Sequence, residues 1–170
     1  MLRFQFLLIS IFFLNFSLAQ NSRVDFEIRN LGINVDGNFK TFSINADIDS
    51  TLTLKSLDGK ITASSIKTGI DSRDEHLLKD DYFDVENHKY IILESTSITK
   101  KSADTYSVKA NLSIKGKTKT LTIIIKTKKT GERLKLTSNF EINRRDFGVG
   151  GGSFVMSKTV KVSVVYYEDL

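Results

Sequence analysis

The sequence predicts a mainly β protein: an antiparallel barrel of eight strands with one short helical insertion. Three observations predict this fold. Apolar residues alternate with polar residues along most of the chain, which is typical of strands that bury one face. Many of these runs reach about ten residues, against roughly five or six in an average strand. Short turn segments join them, and closing such a sheet into a barrel removes its exposed edges.

Residues 1–19 are typical of a secretory signal peptide, with a basic start, an apolar run over residues 4–18 and small residues before Gln20. We therefore expect residues 20–170 to form one mature domain that is periplasmic or secreted. An uncleaved membrane anchor is the alternative. It is disfavoured because the run is shorter than the roughly 20 apolar residues of a membrane span and because Asn15 interrupts it.

The composition fits a single domain with its own core. The chain has 170 residues and no cysteine. A domain of this size buries enough apolar surface to fold without disulfides. Lys and Arg number 25 against 20 Asp and Glu, and the excess lies late in the chain.

Six lysines of this excess fall in one predicted hairpin: Lys115, Lys117, Lys119, Lys126, Lys128 and Lys129. We interpret them as a solvated strand face that discourages edge-to-edge pairing. Attraction to anionic lipid headgroups or to a pyrophosphate is the alternative. Nucleic acid is not expected as a partner, because the aromatic residues are not interleaved with these lysines.

Alternation over residues 24–28 and residues 42–48 predicts the first two strands. Turn signals at residues 37–38 and residues 58–59 are expected to break or bend the chain. The second of them leads into a third predicted strand over residues 60–70.

The segment from residue 68 to residue 93 contains the one predicted helix. Asp71 or Ser72 is expected to cap it, since a short side-chain oxygen accepts from the free amide groups of a first turn. Asp74 follows in that turn, where the helix dipole favours negative charge. Leu77 begins a short apolar face.

Five further strands complete the predicted barrel. They cover residues 90–99, 106–114, 121–125, 134–142 and 160–166. Gly116 and residues 130–132 provide turns between them, and a glycine-rich loop over residues 148–152 precedes the last. Ser138 is the one polar residue on the predicted inner row of its strand.

Four segments in order carry a family signature. They are Phe26 with Gly37 and Phe39, residues 68–85 (with RDEHL and YFDV), residues 112–119 (LSIKGKTK) and residues 140–148 (FEINRRDFG). With them the chain resembles the YceI-like family, the polyisoprenoid-binding, lipocalin-like proteins that bacteria export. The resemblance covers essentially all of residues 20–170.

The resemblance implies a lipocalin-like barrel with an elongated apolar cavity. It implies an exported, non-enzymatic protein that holds a polyisoprenoid, a quinone or a fatty-acyl lipid. From the residues themselves we expect a head group at the mouth, near the helix and the glycine-rich loop, where Arg73, Arg144 or Arg145 would pair with its anionic oxygens. The predicted ligand-binding residues are Phe26, Ile28, Phe39, Phe42, Leu77, Phe83, Leu93, Leu112, Phe140, Ile142, Phe147, Arg73 and Arg144.

Two other readings remain. In the first, the aromatic residues fill a solid core, and the protein is a stress-related or interaction module that binds a protein or an anionic membrane through the lysine hairpin. In the second it is an enzyme, which is the weakest reading because no nucleophile–base pair is recognisable. The spacing of His76 and His88 matches no metal motif. We therefore predict no catalytic residue, metal or cofactor, and leave a homodimer open.

Overall fold

The computed structural model describes residues 21–170, so the predicted signal peptide lies outside the described residues. Ten strands form one antiparallel sheet. They are β1 (Arg23–Asn30), β2 (Ile33–Phe39), β3 (Phe42–Ile48), β4 (Leu54–Thr62), β5 (Ile66–Lys67), β6 (Tyr90–Lys100), β7 (Thr105–Ile114), β8 (Lys117–Thr130), β9 (Arg133–Asn143) and β10 (Met156–Asp169). The helix α1 covers Asp71–Leu77, and two 3-10 helices cover Ala63–Ser65 and Arg144–Phe147. Within residues 21–170 no helix combines the length and apolarity needed to span a membrane.

The sheet curls into a half-barrel with the order β3-β4-β6-β7-β8-β9-β10-β1-β2-β5. Its two ends meet where β2 bends into β3. There the Lys40 amide donates to the Ser65 carbonyl (3.1 Å) and the Thr62 amide to the Thr41 carbonyl (3.0 Å). The predicted mainly β, antiparallel fold class is therefore confirmed.

The predicted number of eight strands is wrong, because β2 was not expected and because the third predicted strand, residues 60–70, is divided between β4 and β5. Gly37 lies inside β2 and Gly59 inside β4, although both positions predicted turns. Gly37 stands opposite Phe26, and Gly59 stands between Ile44 and Leu93. At Gly37 the ring of Phe26 takes up the room beside the glycine, which local sequence does not reveal, whereas a β-carbon at Gly59 would make only an ordinary contact with Leu93 Cβ at 3.9 Å.

The curl opens where β8 and β9 separate. β8 pairs with β9 only over Lys126–Thr130, whereas β9 pairs with β10 along its whole length. Just past the last ladder pair, Ser138 Oγ donates to the Ile124 carbonyl at 2.9 Å. The 3-10 helix Arg144–Phe147 packs against β8 beyond this point. The separation of the two strands leaves the sheet a half-barrel.

Two apolar clusters fill the interior. One, at the end away from α1, includes Tyr106, Val108 and Leu136; the other, beneath α1, includes Phe39, Ile114 and Phe147. Leu93 and Leu121 pack against both. The alternating burial along β7 agrees with the predicted inner row of that strand.

The predicted cap of α1 by Asp71 or Ser72 is wrong. The capping residue is Ile70, and no side chain caps the helix. Asp74 instead turns inward and accepts from the amide (2.8 Å) and the hydroxyl (2.6 Å) of Thr68. Asp74 therefore fixes the strand-to-helix junction.

Candidate functional site: an apolar cavity

An internal cavity of about 280 Å³ runs between the inner face of the sheet and the α1 segment. Ligand pockets usually measure roughly 300–1,000 Å³, so this one lies just below that range. Its wall is almost wholly apolar, and residues of both core clusters contribute to it. A space of this shape suits a long apolar chain.

All the predicted ligand-binding residues except Phe42 contribute to this wall. They are Phe26, Ile28, Phe39, Arg73, Leu77, Phe83, Leu93, Leu112, Phe140, Ile142, Arg144 and Phe147. Phe42 packs against the cluster beneath α1 without lining the cavity. Its position at the bend between β2 and β3 takes its ring out of the wall.

Several lining residues were not predicted. β10 contributes Met156, Val160, Val162 and Val164, and the segment after α1 contributes Tyr82. The alternation of β10 could have identified its valines, since alternate residues of one strand share a face. Nothing in the local sequence indicates that Tyr82 lines the cavity.

Three phenylalanines form a continuous stretch of the wall. The ring centroids of Phe26 and Phe39 lie 5.6 Å apart, and those of Phe39 and Phe83 lie 6.1 Å apart with an edge-to-face geometry. Such contacts add about 0.5–1.5 kcal/mol per pair beyond area burial. They join β1 and β2 to the segment that follows α1.

Arg73 reaches the cavity wall from α1. Its Nε donates to Thr68 Oγ1 and its Nη2 to the Thr68 carbonyl, both at 2.7 Å. Thr68 is thus held by Arg73 and Asp74 together. These contacts fix the guanidinium at the helix end of an otherwise apolar space.

Arg144 is buried, and its guanidinium holds the glycine-rich loop. Nε donates to the Ser157 carbonyl, Nη1 to the Val149 and Gly151 carbonyls, and Nη2 to the Met156 carbonyl, at 2.7 to 3.1 Å. Burial lowers the pKa of Arg144 below its usual value. These carbonyls occupy most of its donors, so Arg144 has a structural role in the loop, and its pairing with a head group stays a prediction.

The lysines expected to form one basic hairpin do not lie together. Lys117 and Lys128 are separated by 11 residues of the single strand β8, which corresponds to roughly 36 Å. Lys115 Nζ donates to the Asp80 and Gly148 carbonyls, so it joins two loops. The lysine hairpin is therefore not a single basic surface.

The two histidines lie near the α1 segment, each beside one carboxylate. His76 Nε2 lies 3.4 Å from Asp81, and His88 Nε2 lies 3.8 Å from Asp84. Across residues 21–170, His, Asp and Glu form no group of three or more that could hold a metal ion.

Comparison with known proteins gives one consistent result. The family model of the YceI-like domain matches residues 18–166. A UPF0312 protein of Serratia proteamaculans is 30% identical over 139 residues, which cover 77% of this chain and 72% of the relative.

Two solved structures are similar in fold. Burkholderia cenocepacia BcnA superposes with a TM-score of 0.81 at 22% identity, covering 86% of this chain and 96% of BcnA. A polyisoprenoid binding domain from Saccharophagus degradans superposes with a TM-score of 0.70 at 17% identity, covering 88% and 94%. At these identities the likeness shows a shared fold alone.

Proposed function

We propose that this chain, which belongs to the YceI-like domain family, is an exported, non-enzymatic protein that holds one long apolar chain inside its half-barrel. The ligand class is a polyisoprenoid, a quinone or a fatty-acyl lipid. The observation that carries the proposal is the apolar cavity that runs from beneath α1 to the far core cluster.

The energetics favour a tail without polar groups. Each buried CH₂ contributes roughly 0.8 kcal/mol, so an isoprene unit contributes roughly 3–4 kcal/mol. A few units exceed the association cost of about 4–15 kcal/mol. Selectivity for the tail is accordingly loose, because an apolar wall distinguishes chains by length and width alone.

The half-barrel and the α1 segment would contact different parts of the ligand. The inner rows of β1, β9 and β10 would contact the tail along its length. Leu77 and Phe83 would cover it from the α1 side, and Arg73 stands where an anionic or hydroxylated head group would emerge. No proton transfer or covalent step is required.

Two further observations support the proposal. The structural neighbour from Saccharophagus degradans is named a polyisoprenoid binding domain. Residues 1–19 have the composition of a secretory signal peptide, which supports a periplasmic or secreted location.

Mass spectrometry of the protein purified from its own cells tests the proposal. The intact protein under native conditions should carry a stoichiometric apolar adduct, and solvent extraction should release a lipid of the same mass. A protein without an adduct that also takes up no pyrene-labelled fatty acid would overturn the proposal, because its interior would then be a solid core.

A further inference from the structure

The β1–β2 turn, with the first residue of β2, and the loop before β10 present large apolar side chains to solvent at the α1 end of the half-barrel. Leu31, Ile33, Phe154 and Val155 are 72%, 70%, 103% and 54% exposed. We call these four residues the apolar lip. The two loops are joined by a hydrogen bond from the Leu31 amide to the Val155 carbonyl (2.9 Å). Contiguous exposed apolar groups on a protein surface mark interaction sites.

The lip continues the wall of the cavity. Ile28 and Val35 face each other across β1 and β2 and line the cavity, and Ile33 is the next residue in the same row. Alternate residues of a strand share a face, so Ile33, which pairs with Asn30, continues this inner row to the end of the sheet. Met156, which lines the cavity, directly follows Val155. A lipid tail would therefore meet mostly apolar surface from the lip to the interior, with Asn30, opposite Ile33, as a polar lining residue on the way.

Hydrogen bonds from the protein side fix the loop that carries Phe154 and Val155. Arg144 donates to carbonyls along the loop on both sides of Phe154, and the Gly150 amide donates to the Asp81 carbonyl at 2.8 Å. A β-carbon at Gly150 would lie 2.6 Å from Met156 Cε, so the backbone is packed closely there. The lip is thus presented by a fixed loop, which reduces the ordering cost of docking.

The charge around the lip is positive. Residues 28–35 and residues 148–158 contain no Asp or Glu. Arg29, Arg145 and Lys158 are exposed there, and within residues 21–170 none of the three pairs with a carboxylate.

Backbone contacts hold the two arginines beside the lip. Arg29 Nε donates to the Gly32 carbonyl (3.1 Å) and Arg145 Nη2 to the Ser153 carbonyl (2.8 Å). Asp146 follows Arg145 in the chain and accepts from Asn143 Nδ2 at 3.0 Å. Asp80 and Asp81 approach the loop from the α1 side, where the Asp81 carbonyl accepts from the Gly150 amide. The positive side is therefore the side of β1 and β10.

We propose that the apolar lip docks the protein on a bilayer that contains anionic phospholipid, with the cavity mouth against the membrane. An apolar protrusion flanked by cations suits this surface, because side chains enter the acyl boundary while the cations meet the phosphates. The inference rests on the proposed function, since docking brings the mouth to the phase that holds the ligand. A second copy of the chain is the competing occupant.

Vesicle flotation of the protein purified from its own cells tests docking. Parent and Phe154→Ser are compared on phosphatidylcholine vesicles with and without phosphatidylglycerol. We expect Phe154→Ser to bind at least about tenfold more weakly, since an apolar side chain no longer leaves water. Ile124→Ser is the matched control, because Ile124 is exposed on the outer face of β8 and should leave binding within about twofold of the parent.

Two charge-reversal variants measure the electrostatic contribution to vesicle binding. Lys158→Glu should weaken binding to vesicles with phosphatidylglycerol by several-fold and leave binding to phosphatidylcholine unchanged. Lys126→Glu, on an exposed position of β8, should behave like the parent. Equal losses for both variants would overturn the assignment of the positive side.

A second measurement distinguishes docking from lipid holding. Phe154→Ser should take up a pyrene-labelled fatty acid from dilute solution as the parent does, and should extract it from vesicles more slowly. Docking is overturned if Phe154→Ser floats with the vesicles as well as the parent does. It is also overturned if the parent does not float but forms a dimer that the Phe154→Ser substitution dissociates. Flotation that depends on Phe154, in a protein that takes up no probe, supports docking and overturns the proposed function.

Discussion

The ring of Phe26 occupies the space that a side chain at Gly37 would fill. The two residues stand opposite each other on β1 and β2, and a β-carbon built at Gly37 would lie 2.2 Å from Cζ of Phe26. The absence of a side chain at residue 37 thus lets the ring lie flat against β2. Because Phe26 lines the cavity, this contact positions part of the cavity wall.

Gly37→Ala should force the Phe26 ring into the cavity, because ladder pairs on both sides hold the two strands in place. We expect a loss of about 1–3 kcal/mol in the free energy of unfolding, measured by urea titration, together with reduced uptake of a fatty-acyl probe. Gly152→Ala is the control, since a β-carbon there meets open space. Equal stability of the Gly37→Ala protein and the parent would show that the ring moves freely.

Asp74→Asn should change the pH dependence of stability. Burial raises the pKa of Asp74, but the hydrogen bonds from Thr68 and the ammonium of Lys67, 3.5 Å from Oδ2, more than offset it, so the folded-state pKa is lowered. A lowered folded pKa stabilises the protein above the unfolded carboxyl pKa of about 3.9. That contribution is lost as the pH falls through the folded pKa.

We therefore expect Asp74→Asn to cost about 1.5–3 kcal/mol at neutral pH and to make stability less dependent on pH below about 4. Thermal unfolding across pH 2–7 measures both. Asp71→Asn is the control, because its side chain is 96% exposed. If the stability of the parent and of Asp74→Asn depended on pH in the same way, the Asp74 carboxylate would not be the source of the pH dependence.

Arg144→Lys should release the glycine-rich loop while keeping the positive charge. A lysine amine cannot reproduce the fork that reaches carbonyls on both sides of the loop. We expect a loss of roughly 2–4 kcal/mol from carbonyls left without donors, and faster amide exchange over residues 149–157. Arg145→Lys, at an exposed position, should change stability by less than about 0.5 kcal/mol. Unchanged exchange in Arg144→Lys would show that the loop is held by other contacts.

Leu93→Trp should block the cavity at its middle, because Leu93 lines it and packs against both core clusters. We expect uptake of a long-chain probe to fall at least about tenfold, with a stability change within about 1–3 kcal/mol. Fluorescence titration with probes of increasing length measures the affinity, and the affinity for short probes should fall least. Tyr90→Trp, on the same strand and exposed, should bind as the parent does. Full retention of long probes by Leu93→Trp would argue that the ligand lies elsewhere.

Much of the architecture and of the cavity wall was predictable from local pattern. Along β7 the residues from Tyr106 to Ile114 alternate between buried and more exposed positions as the sequence indicates. The wall includes Phe140 and Ile142 of β9 for the same reason. In a strand the side-chain period is two, so whichever residues are apolar at that period must share the buried face.

The remainder was decided by contacts between residues distant in sequence. Gly37 is accommodated within a strand because the ring of Phe26 on the neighbouring strand packs against it. Arg144, the first residue after β9, holds the glycine-rich loop because its guanidinium lies against the carbonyls of that loop. The separation of β8 from β9 likewise depends on how the sheet curls. Periodicity and composition set the class of fold and its inner face. Register, closure and the partners of buried polar groups follow only from packing, because those energies depend on neighbours that the local sequence does not contain.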